Sequence, residues 1–240
     1  MISPTSRLFP ASCLTSILLT LFAAPSWGAE PGSPPNRFEK DIAAFEAADA
    51  KTPPPPGAIL FVGDSTYTKW KTIHDDLPEY TVINRGFGGS QMSDLLYYAD
   101  RIVLRYHPRM IVVQEGGNDI HGGKSPDRLL ADIKAFIEKV RASLPNTPIV
   151  IGSITGNSAR WSEIETRQRA NQIVKDFVAT QKNVVWVNFF DPFLGSDGKP
   201  REELFVEDHM HPSHAGYELR AQILRPILGA PDHQPASGTN

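Results

Sequence analysis

Five short apolar runs alternate with longer stretches of helical periodicity from residue 58 onward, and this alternation restricts the possible folds more than any other feature of the chain. Short apolar runs bounded by turn residues are typical of strands that are buried on both faces of a parallel sheet. The order strand, helix, strand predicts a doubly wound α/β sandwich of about five parallel strands. The predicted strands are Ala58–Val62, Tyr80–Asn84, Met110–Gln114, Ile149–Ile151 and Val184–Val187.

The helical stretches between and after these runs have apolar residues at helical spacing. The clearest of them begins with Ser125 and Pro126, a typical helix start with proline at the first helical position. In a doubly wound sheet the functional crevice lies beyond the carboxyl ends of the strands, so the residues that follow each run are the candidates for chemistry. The predicted helices are Gln91–Tyr106, Pro126–Leu144, Ser162–Thr180 and Ser213–Leu228.

Composition narrows the class of protein. Of the 240 residues, 40% are hydrophobic and 21% are charged, which is enough apolar material for the core of one good-sized domain. The formal net charge of −3 argues against a protein whose main function is to bind nucleic acid through a strongly basic surface. The sequence contains one cysteine, Cys13, so an intrachain disulfide and a multi-cysteine metal site are excluded.

The first 28 residues resemble a secretory signal. Arg7 gives a positive start, Leu14–Ala24 is an apolar run, and Pro25–Gly28 supplies a break and small residues. The run is shorter than the about 20 residues that a membrane-spanning helix needs. We therefore expect a secreted or periplasmic protein that is not inserted in a membrane after cleavage, with an uncleaved N-terminal anchor as the open alternative. Cleavage after Gly28 would also remove Cys13 and leave a chain without a thiol.

Composition also divides the rest of the chain. Residues 29–57 are rich in proline and carry a short helical pattern, in which Asn36 is placed to cap the helix. Residues 58–230 carry the alternating pattern and form the main domain. Residues 231–240 are polar and contain proline, glycine and serine, so we expect a disordered tail.

Chemically useful groups follow the predicted strands. They are a hydroxyl at Ser65, a glycine turn that includes Gly89, an amide at Asn118, and Asp208 three residues before His211. Acyl transfer needs these parts, because a serine hydroxyl requires a base such as histidine, and the base requires a carboxylate that fixes its tautomer. The tetrahedral intermediate further requires hydrogen-bond donors for its oxyanion.

These groups stand in four sequence blocks. In chain order the blocks are Gly63-Asp64-Ser65, Asn84-Arg85-Gly86-Phe87-Gly88-Gly89, Gly116-Gly117-Asn118-Asp119, and Asp208 to His211 followed by Gly216-Tyr217. In this order they resemble the blocks of the SGNH hydrolases in the GDSL esterase superfamily, and the similarity covers roughly residues 58–227. Thr66 stands where the family name has leucine, and this departure leaves the substrate open.

The resemblance implies a three-layer α/β/α sandwich with a flavodoxin-like parallel sheet, and a serine esterase that needs neither a metal nor another cofactor. It implies that Ser65 is the nucleophile, that His211 is the base and that Asp208 orients the base. Gly88 remains an alternative to Gly89 in the oxyanion hole. The implied oxyanion donors are the backbone N–H groups of Ser65 and Gly89 and the side chain of Asn118.

The substrate stays open between a small-molecule ester, a lipid and an acetylated sugar. The corresponding enzymes are a general esterase, a lysophospholipase-like acylhydrolase and a carbohydrate O-acetyl esterase. A non-catalytic carbohydrate- or lipid-binding module on the same scaffold is the alternative from a different class. Thr66, Arg160 and Trp161 are the candidate substrate-facing residues, while Tyr67 and Trp70 either line a pocket or pack under loops.

Two other ligand patterns are weaker. Asp208, His209, His211 and His214 include the donor types of a zinc site, but a serine hydrolase needs only the first and third of them, so we expect no metal. The segment 117–125 is similar to a phosphate-binding loop, but Asn118 stands where that motif requires glycine. No sequence pattern indicates an oligomeric state.

Overall fold

A computed structural model describes Met1 and residues 36–232. Contacts divide the chain into residues 1–33 and 34–240, and the described sheet and helices belong to the second unit. The predicted signal, from residue 2 to 28, and the tail from residue 233 lie outside the described residues. Asp232, in the predicted tail, still contacts the domain, since its backbone N–H donates to the carbonyl of Glu79 at 2.8 Å.

One parallel sheet of five strands runs through the described residues 36–232. Its order across the sheet is β2-β1-β3-β4-β5, which is the flavodoxin-like order of doubly wound folds. The predicted fold class, a three-layer α/β/α sandwich with about five parallel strands, is therefore confirmed. The strands are β1 (Ile59–Gly63), β2 (Val82–Gly86), β3 (Met110–Gln114), β4 (Ile149–Gly152) and β5 (Val184–Val187).

The strand bounds follow the apolar runs closely. β3 and β5 have the predicted bounds, whereas β1, β2 and β4 extend one or two residues further toward the C-terminus. In β1 and β2 the extra residues include Gly63 and Gly86, which pair with each other in the ladder. Prediction from apolar side chains stops before such glycines because they have no side chain to show the pattern.

Eight α-helices within residues 36–232 surround the sheet. They are α1 (Glu39–Lys51), α2 (Ser65–Thr68), α3 (Ile73–Asp76), α4 (Met92–Ile102), α5 (Gly117–His121), α6 (Pro126–Ser143), α7 (Ile164–Val178) and α8 (His214–Leu224). Helices α1, α4, α6 and α7 cover one face of the sheet, and α2, α3 and α8 cover the other. Short 3₁₀ turns occupy Leu104–Tyr106, Ser158–Glu163, Asp191–Phe193 and Glu202–Leu204.

Strand β1 shows why the sheet needs two helical layers. Ile59 and Phe61 pack with α3 and α8 on one face, while Leu60 and Val62 pack with α1 and α4 on the other. All four side chains are fully buried, and burial of one such side chain stabilises the fold by about 1.5–3 kcal/mol. A continuous apolar run is therefore the expected signature of a strand with both faces covered.

Several helix ends differ from the predictions. The last helix, α8, ends at Leu224 and not at Leu228, and three other differences have local reasons. The predicted helix Gln91–Tyr106 breaks at Val103, whose φ of −127° and ψ of −65° are not helical. The stretch predicted as Ser162–Thr180 starts as a 3₁₀ turn capped by Asn157, and α7 begins only at Ile164. Asn36 does not cap α1 through its side chain; the helix follows Phe38 after a turn. None of the described helices combines the length and apolar composition that crossing a bilayer requires.

Candidate active site

The carboxyl ends of the central strands lie side by side. Gly63 at the end of β1 pairs with Gly86 of β2 and with Gln114 of β3. The segments that follow these strands therefore leave the sheet at one edge, as the strand order requires. Ser65 and His211, which are far apart in sequence, line the same cavity at this edge.

Ser65 is the first residue of α2, directly after β1. Asp64 caps this helix, because its carboxylate accepts the backbone N–H of Thr66 at 2.8 Å, a favoured arrangement at a helix start. Tyr217 donates its hydroxyl to the carbonyl of Thr66 at 2.9 Å. Burial raises the pKa of the Asp64 carboxyl, and the hydrogen bonds from Thr66 oppose that rise. The backbone on both sides of the Ser65 hydroxyl is thus held in place.

Asp208 folds the loop before α8 into a tight turn. Its Oδ1 accepts the backbone N–H groups of Met210 at 3.0 Å and of His211 at 2.9 Å, and His209 takes a left-handed φ of 54°. Burial raises the pKa of the Asp208 carboxyl, but the N–H of His211, its imidazole and the N–H of Met210 outweigh burial and hold that pKa well below its usual range. The carboxylate is therefore ionised at neutral pH.

Ser65, His211 and Asp208 form one continuous chain of hydrogen bonds. The Nδ1 of His211 lies 2.6 Å from the Oδ2 of Asp208, and its Nε2 lies 2.8 Å from the Oγ of Ser65. Because an ionised carboxylate only accepts, the proton resides on Nδ1 and donates to Asp208. The Nε2 atom is then free to accept the hydroxyl of Ser65, which is the geometry of an activated serine.

Lys69 lies beside this pair, and none of the four sequence blocks includes it. Its Nζ donates to the Oδ2 of Asp208 at 3.4 Å and lies 3.0 Å from the Nδ1 of His211. Lys69 follows Ser65 by four residues, or one helical turn, and that spacing is the signal that could have found it. The lysine side chain is 49% exposed, so water screens the ion pair and its contribution to stability is small.

Each of the three predicted oxyanion donors has an N–H group without an acceptor among the described residues. The Nδ2 of Asn118 donates to the carbonyl of Ser90 at 3.0 Å, which leaves its second N–H unused. Within residues 36–232, the backbone N–H groups of Ser65 and Gly89 have no acceptor. Gly88 also lies close, since a Cβ built on it would stand 3.7 Å from the Cβ of Ser65. The predicted donors are therefore free to bind a ligand, with Gly88 still an alternative to Gly89.

The glycine turn after β2 has two separate reasons for its glycines. A Cβ at Gly86 would stand 2.5 Å from the backbone nitrogen of Thr68 and 2.7 Å from Tyr67. Glycine at this position therefore permits close packing of helix α2 against the end of β2. Gly89 has open space around it but a φ of +85°, which favours glycine on backbone grounds.

Ser65 opens onto a small cavity, and two of the three candidate substrate-facing residues line it. The cavity has a volume of about 40 Å³, counted as the space that the centres of water molecules can occupy. Thr66 and Arg160 both line it. Trp161 does not belong to the cavity lining; the Nζ of Lys199 lies 5.5 Å from its ring centroid instead. Neighbouring residues in a 3₁₀ turn point in different directions, so Arg160 and Trp161 do not both face the cavity.

One part of the cavity wall is formed by arginines, while Ile154, Phe205, Met210 and Pro212 form an apolar part. Arg167 and Arg220 line the cavity together with Arg160, and both are almost fully buried. Arg220 donates to the Oε1 of Gln114 at 3.1 Å and to the Oγ1 of Thr155 at 2.6 Å. No motif identified these residues, because they sit on helices and strand ends where an arginine or glutamine usually faces solvent.

Tyr67 and Trp70 belong to the core, which decides between their two predicted roles. Both rings are at most 1% exposed, and Trp70 stacks on Tyr217 with ring centroids 5.1 Å apart. The Nε1 of Trp70 donates to Asp76 at 2.6 Å, so its polar atom is satisfied inside the fold. These aromatic residues support the loops under the site and are not part of a pocket.

The other histidines near Asp208, His209 and His214, face different partners. His209 faces Glu202, with its Nδ1 2.7 Å from Oε2, and His214 faces Glu218 at 3.5 Å. In the part of the chain that the structure describes, no group of three or more His, Cys, Asp or Glu side chains is placed to hold a metal ion.

Glu115, directly after β3, is a buried acid that no motif identified. Ser90 donates its hydroxyl to the Oε1 of Glu115 at 2.5 Å, and Oε2 has no hydrogen-bond partner among the described residues. Burial, followed by the charges of Asp64 and Asp119, raises the pKa of the Glu115 carboxyl well above its usual range. The folded state therefore favours the protonated form of Glu115. Because the unfolded chain ionises this carboxyl first, the free energy of unfolding falls as the pH rises from about 4.3 through the raised pKa.

Glu115→Gln is expected to stabilise the protein at about pH 8, by on the order of 1 kcal/mol or about 2–4 °C in Tm. The neutral amide avoids the cost of ionising a buried acid, and the gain should shrink toward about pH 4, where glutamate is protonated in both states. Thermal melts across this pH range measure the effect. The matched control is Glu138→Gln on the exposed side of α6. An unchanged or lower Tm at the higher pH would contradict the prediction.

Comparisons with known proteins agree with this architecture. The model of the GDSL-like Lipase/Acylhydrolase family matches residues 52–219. A structure from Streptococcus pneumonia that is named for platelet activating factor is 26% identical, with a TM-score of 0.70 over 79% of this chain and 92% of that chain. A GDSL-like lipase from Bacteroides thetaiotaomicron is 19% identical, with a TM-score of 0.67 over 78% of this chain and 96% of that one.

A mutant of an acetyl-xylooligosaccharide esterase from Geobacillus Stearmophilus is similar in fold as well. It is 18% identical, with a TM-score of 0.60, and the match covers 76% of this chain and 99% of that chain. No curated protein matches this chain in sequence.

A flavodoxin-like sandwich with a serine at the end of its first strand is the fold of the SGNH hydrolases, a class of enzymes that cleave ester bonds. The family model covers most of the chain, including Ser65, Asn118 and His211. The chain belongs to the GDSL-like lipase/acylhydrolase family, and it is an ester-bond hydrolase. The resemblance found in the four sequence blocks is therefore confirmed.

Proposed function

We propose that this chain hydrolyses carboxylic esters through an acyl-enzyme intermediate on Ser65. One observation carries the proposal: the Nε2 of His211 lies 2.8 Å from the Oγ of Ser65 while its Nδ1 lies 2.6 Å from the Oδ2 of Asp208. A pure binding module has no use for a nucleophile, a base and an orienting acid in one hydrogen-bonded chain. The geometry therefore favours catalysis over the alternative of a non-catalytic carbohydrate- or lipid-binding module.

Acylation begins when the Oγ of Ser65 attacks the ester carbonyl. His211 takes the hydroxyl proton on Nε2, and Asp208 stabilises the imidazolium that forms. The carbonyl oxygen becomes an oxyanion, which accepts hydrogen bonds from the backbone N–H of Ser65, the N–H of Gly89 and the amide of Asn118. The bond to the alcohol oxygen then breaks, and His211 returns the proton to the leaving alcohol.

Deacylation repeats these steps with water. His211 removes a proton from a water molecule, the resulting hydroxide attacks the acyl carbon, and the oxyanion forms in the same place. When the intermediate collapses, Ser65 leaves as an alkoxide and receives the proton from His211. The products are the free acid and the regenerated hydroxyl. These steps use only groups of this chain and water.

The cavity beside Ser65 favours a short acyl group. Its volume of about 40 Å³ corresponds to about three water-sized groups at about 10–15 Å³ each, which matches an acetyl group. The walls include the half-buried, positively charged Arg160, and a long hydrocarbon chain against this guanidinium would remove water from the charge without supplying an acceptor. This charge therefore disfavours a lysophospholipase-like activity.

An acetylated sugar is the second candidate substrate. A short acyl group is required of such a substrate, and the name of the Geobacillus neighbour refers to acetylated xylooligosaccharides. At 18% identity that neighbour indicates the fold alone, so the small cavity is the observation that favours this candidate. A general short-chain esterase fits the same cavity, and the alcohol part of the substrate separates the two.

A series of p-nitrophenyl esters tests the proposal. We expect kcat/KM to fall by at least about tenfold from acetate to octanoate, because a longer acyl chain does not fit the cavity and displaces the ester carbonyl from the oxyanion donors, which costs transition-state binding. Acetylated xylooligosaccharides, assayed by acetate release, test the sugar candidate. A fluorophosphonate probe should label Ser65. Faster turnover of octanoate would overturn the short-acyl assignment, and an unlabelled Ser65 would overturn the serine mechanism.

A further inference from the structure

The side-chain amide of Asn118 is held at both ends. Its Nδ2 donates to the carbonyl of Ser90 at 3.0 Å, and its Oδ1 accepts from the Nη1 of Arg160 at 3.1 Å. A carbonyl oxygen can only accept and a guanidinium can only donate. The two partners therefore permit one orientation of the amide, in which the unused N–H of Nδ2 is the end available to a ligand.

Arg160 is itself fixed for this contact. Asn157 accepts the backbone N–H of Arg160 at 3.0 Å, and Asn157 is buried at the start of the 3₁₀ turn. The Nη1 of Arg160 also donates to the carbonyl of Gly117 at 3.2 Å, the residue directly before Asn118. One guanidinium nitrogen thus holds both the backbone and the side chain at this strand end.

Arg160 has no direct ion-pair partner among the described residues, although the carboxylates of Glu163 and Asp64 lie near enough to act on its charge. None of the ion pairs within residues 36–232 includes Arg160, and the nearby Glu163 pairs with Arg167 at 2.8 Å and with His121 at 2.6 Å. A positive charge that is partly buried at a reaction centre and forms no direct ion pair is placed to act on a developing negative charge.

We infer that Arg160 is a positioning residue, which orients the amide of Asn118 toward the oxyanion and makes its N–H a stronger donor. The inference rests on the proposed function. The terminal torsion of asparagine is broad and roughly two-fold, so a less restrained amide would turn its oxygen toward the oxyanion in part of the molecules. Arg160 opposes that flip and polarises the amide, since hydrogen bonds with a charged partner strengthen their neighbours.

A double-mutant cycle tests whether Arg160 acts through Asn118. Asn118→Ala should lower kcat by about 10²–10³. Arg160→Met, which removes the guanidinium donors and keeps an unbranched stem, should lower kcat by about 10–10² with KM changed by less than about threefold. When Asn118→Ala is already present, Arg160→Met should lower kcat by less than about twofold, because the group through which it acts is gone.

Two further variants make the test specific. Arg160→Lys keeps one charged donor group. It should recover at least about half of the fall in log kcat that Arg160→Met causes. Arg169→Met on α7 removes the same charge from a surface position, where its partner Asp127 is 73% exposed, and should leave kcat within about twofold. Titration with a fluorophosphonate counts the active sites, so misfolded protein does not enter kcat.

Three results would overturn the inference. In the first, Arg160→Met lowers kcat by the same factor with and without Asn118→Ala, which would mean that Arg160 acts on the substrate directly. The second is an effect on KM alone, and the third is no recovery in Arg160→Lys. Failure of the proposed function gives a different pattern, in which Ser65→Ala and Asn118→Ala both keep full activity; the inference then fails together with it.

Discussion

Ser65→Ala is expected to lower kcat for p-nitrophenyl acetate by a factor on the order of 10⁴–10⁶. In the proposed mechanism, the substitution removes the hydroxyl oxygen that forms the acyl bond, so His211 and Asp208 lose the group on which they act. What remains is transition-state binding by the oxyanion donors, which still accelerates attack by water. Initial rates normalised to folded protein measure the effect.

The fold should tolerate this change. The contacts that hold the Ser65 backbone use other atoms: the Asp64 carboxylate binds the N–H of Thr66, and the carbonyl of Ser65 accepts the N–H of Lys69 at 2.9 Å. We expect the Tm to shift by less than about 2–4 °C. Ser143→Ala, at the exposed end of α6, is the matched control. Full activity in Ser65→Ala would eliminate the acyl-serine mechanism.

The convergence of Ser65, the glycine turn and Asn118 could be predicted from the sequence. Parallel strands in register end at one edge of the sheet, and each of these groups directly follows an apolar run. The prediction needed only the order of the runs, because the pairing of Gly63 with Gly86 and Gln114 follows from the topology. His211 was within reach of the same reasoning, since the loop before the last helix returns to that edge.

The surroundings of the nucleophile could not be predicted in the same way. Arg160, Arg167 and Arg220 come from a loop and two helices, and their meeting in one cavity depends on how α7 and α8 pack on the sheet. Helical periodicity shows which face is apolar but does not show that an arginine can be buried against Gln114. The separation of Arg160 from Trp161 likewise depends on the φ of −129° at Arg160 within its 3₁₀ turn.

The hydrogen bonds around Asp208 make a specific prediction for Asp208→Asn. The Oδ1 position accepts two backbone N–H groups, from Met210 and His211, and only the amide oxygen can take that role. The amide nitrogen must then face the Nδ1 of His211, where the carboxylate oxygen now accepts at 2.6 Å. A donor at this position obliges Nδ1 to accept, so the imidazole carries its proton on Nε2, toward Ser65.

Histidine in that tautomer cannot remove the proton of Ser65. We expect Asp208→Asn to lower kcat by a factor of about 10³–10⁴, as in the serine-protease template. Because the Asp208 carboxyl has a pKa well below its usual range, the wild-type carboxylate stays ionised, and the difference should persist between about pH 5 and pH 8. A pH profile of kcat for the variant and the wild type measures both expectations.

Two comparisons separate the tautomer from the loss of the turn. Asp208→Asn keeps both backbone hydrogen bonds at Oδ1, so its Tm should stay close to that of the wild type. Asp208→Ala removes them as well and should lower the Tm, by about 2–4 °C for each 1 kcal/mol lost. Asp75→Asn on α3 is the exposed control. A loss of less than about tenfold in Asp208→Asn would show that Asp208 does not set the tautomer of His211, and Lys69 would then be the remaining charged group in contact with that ring.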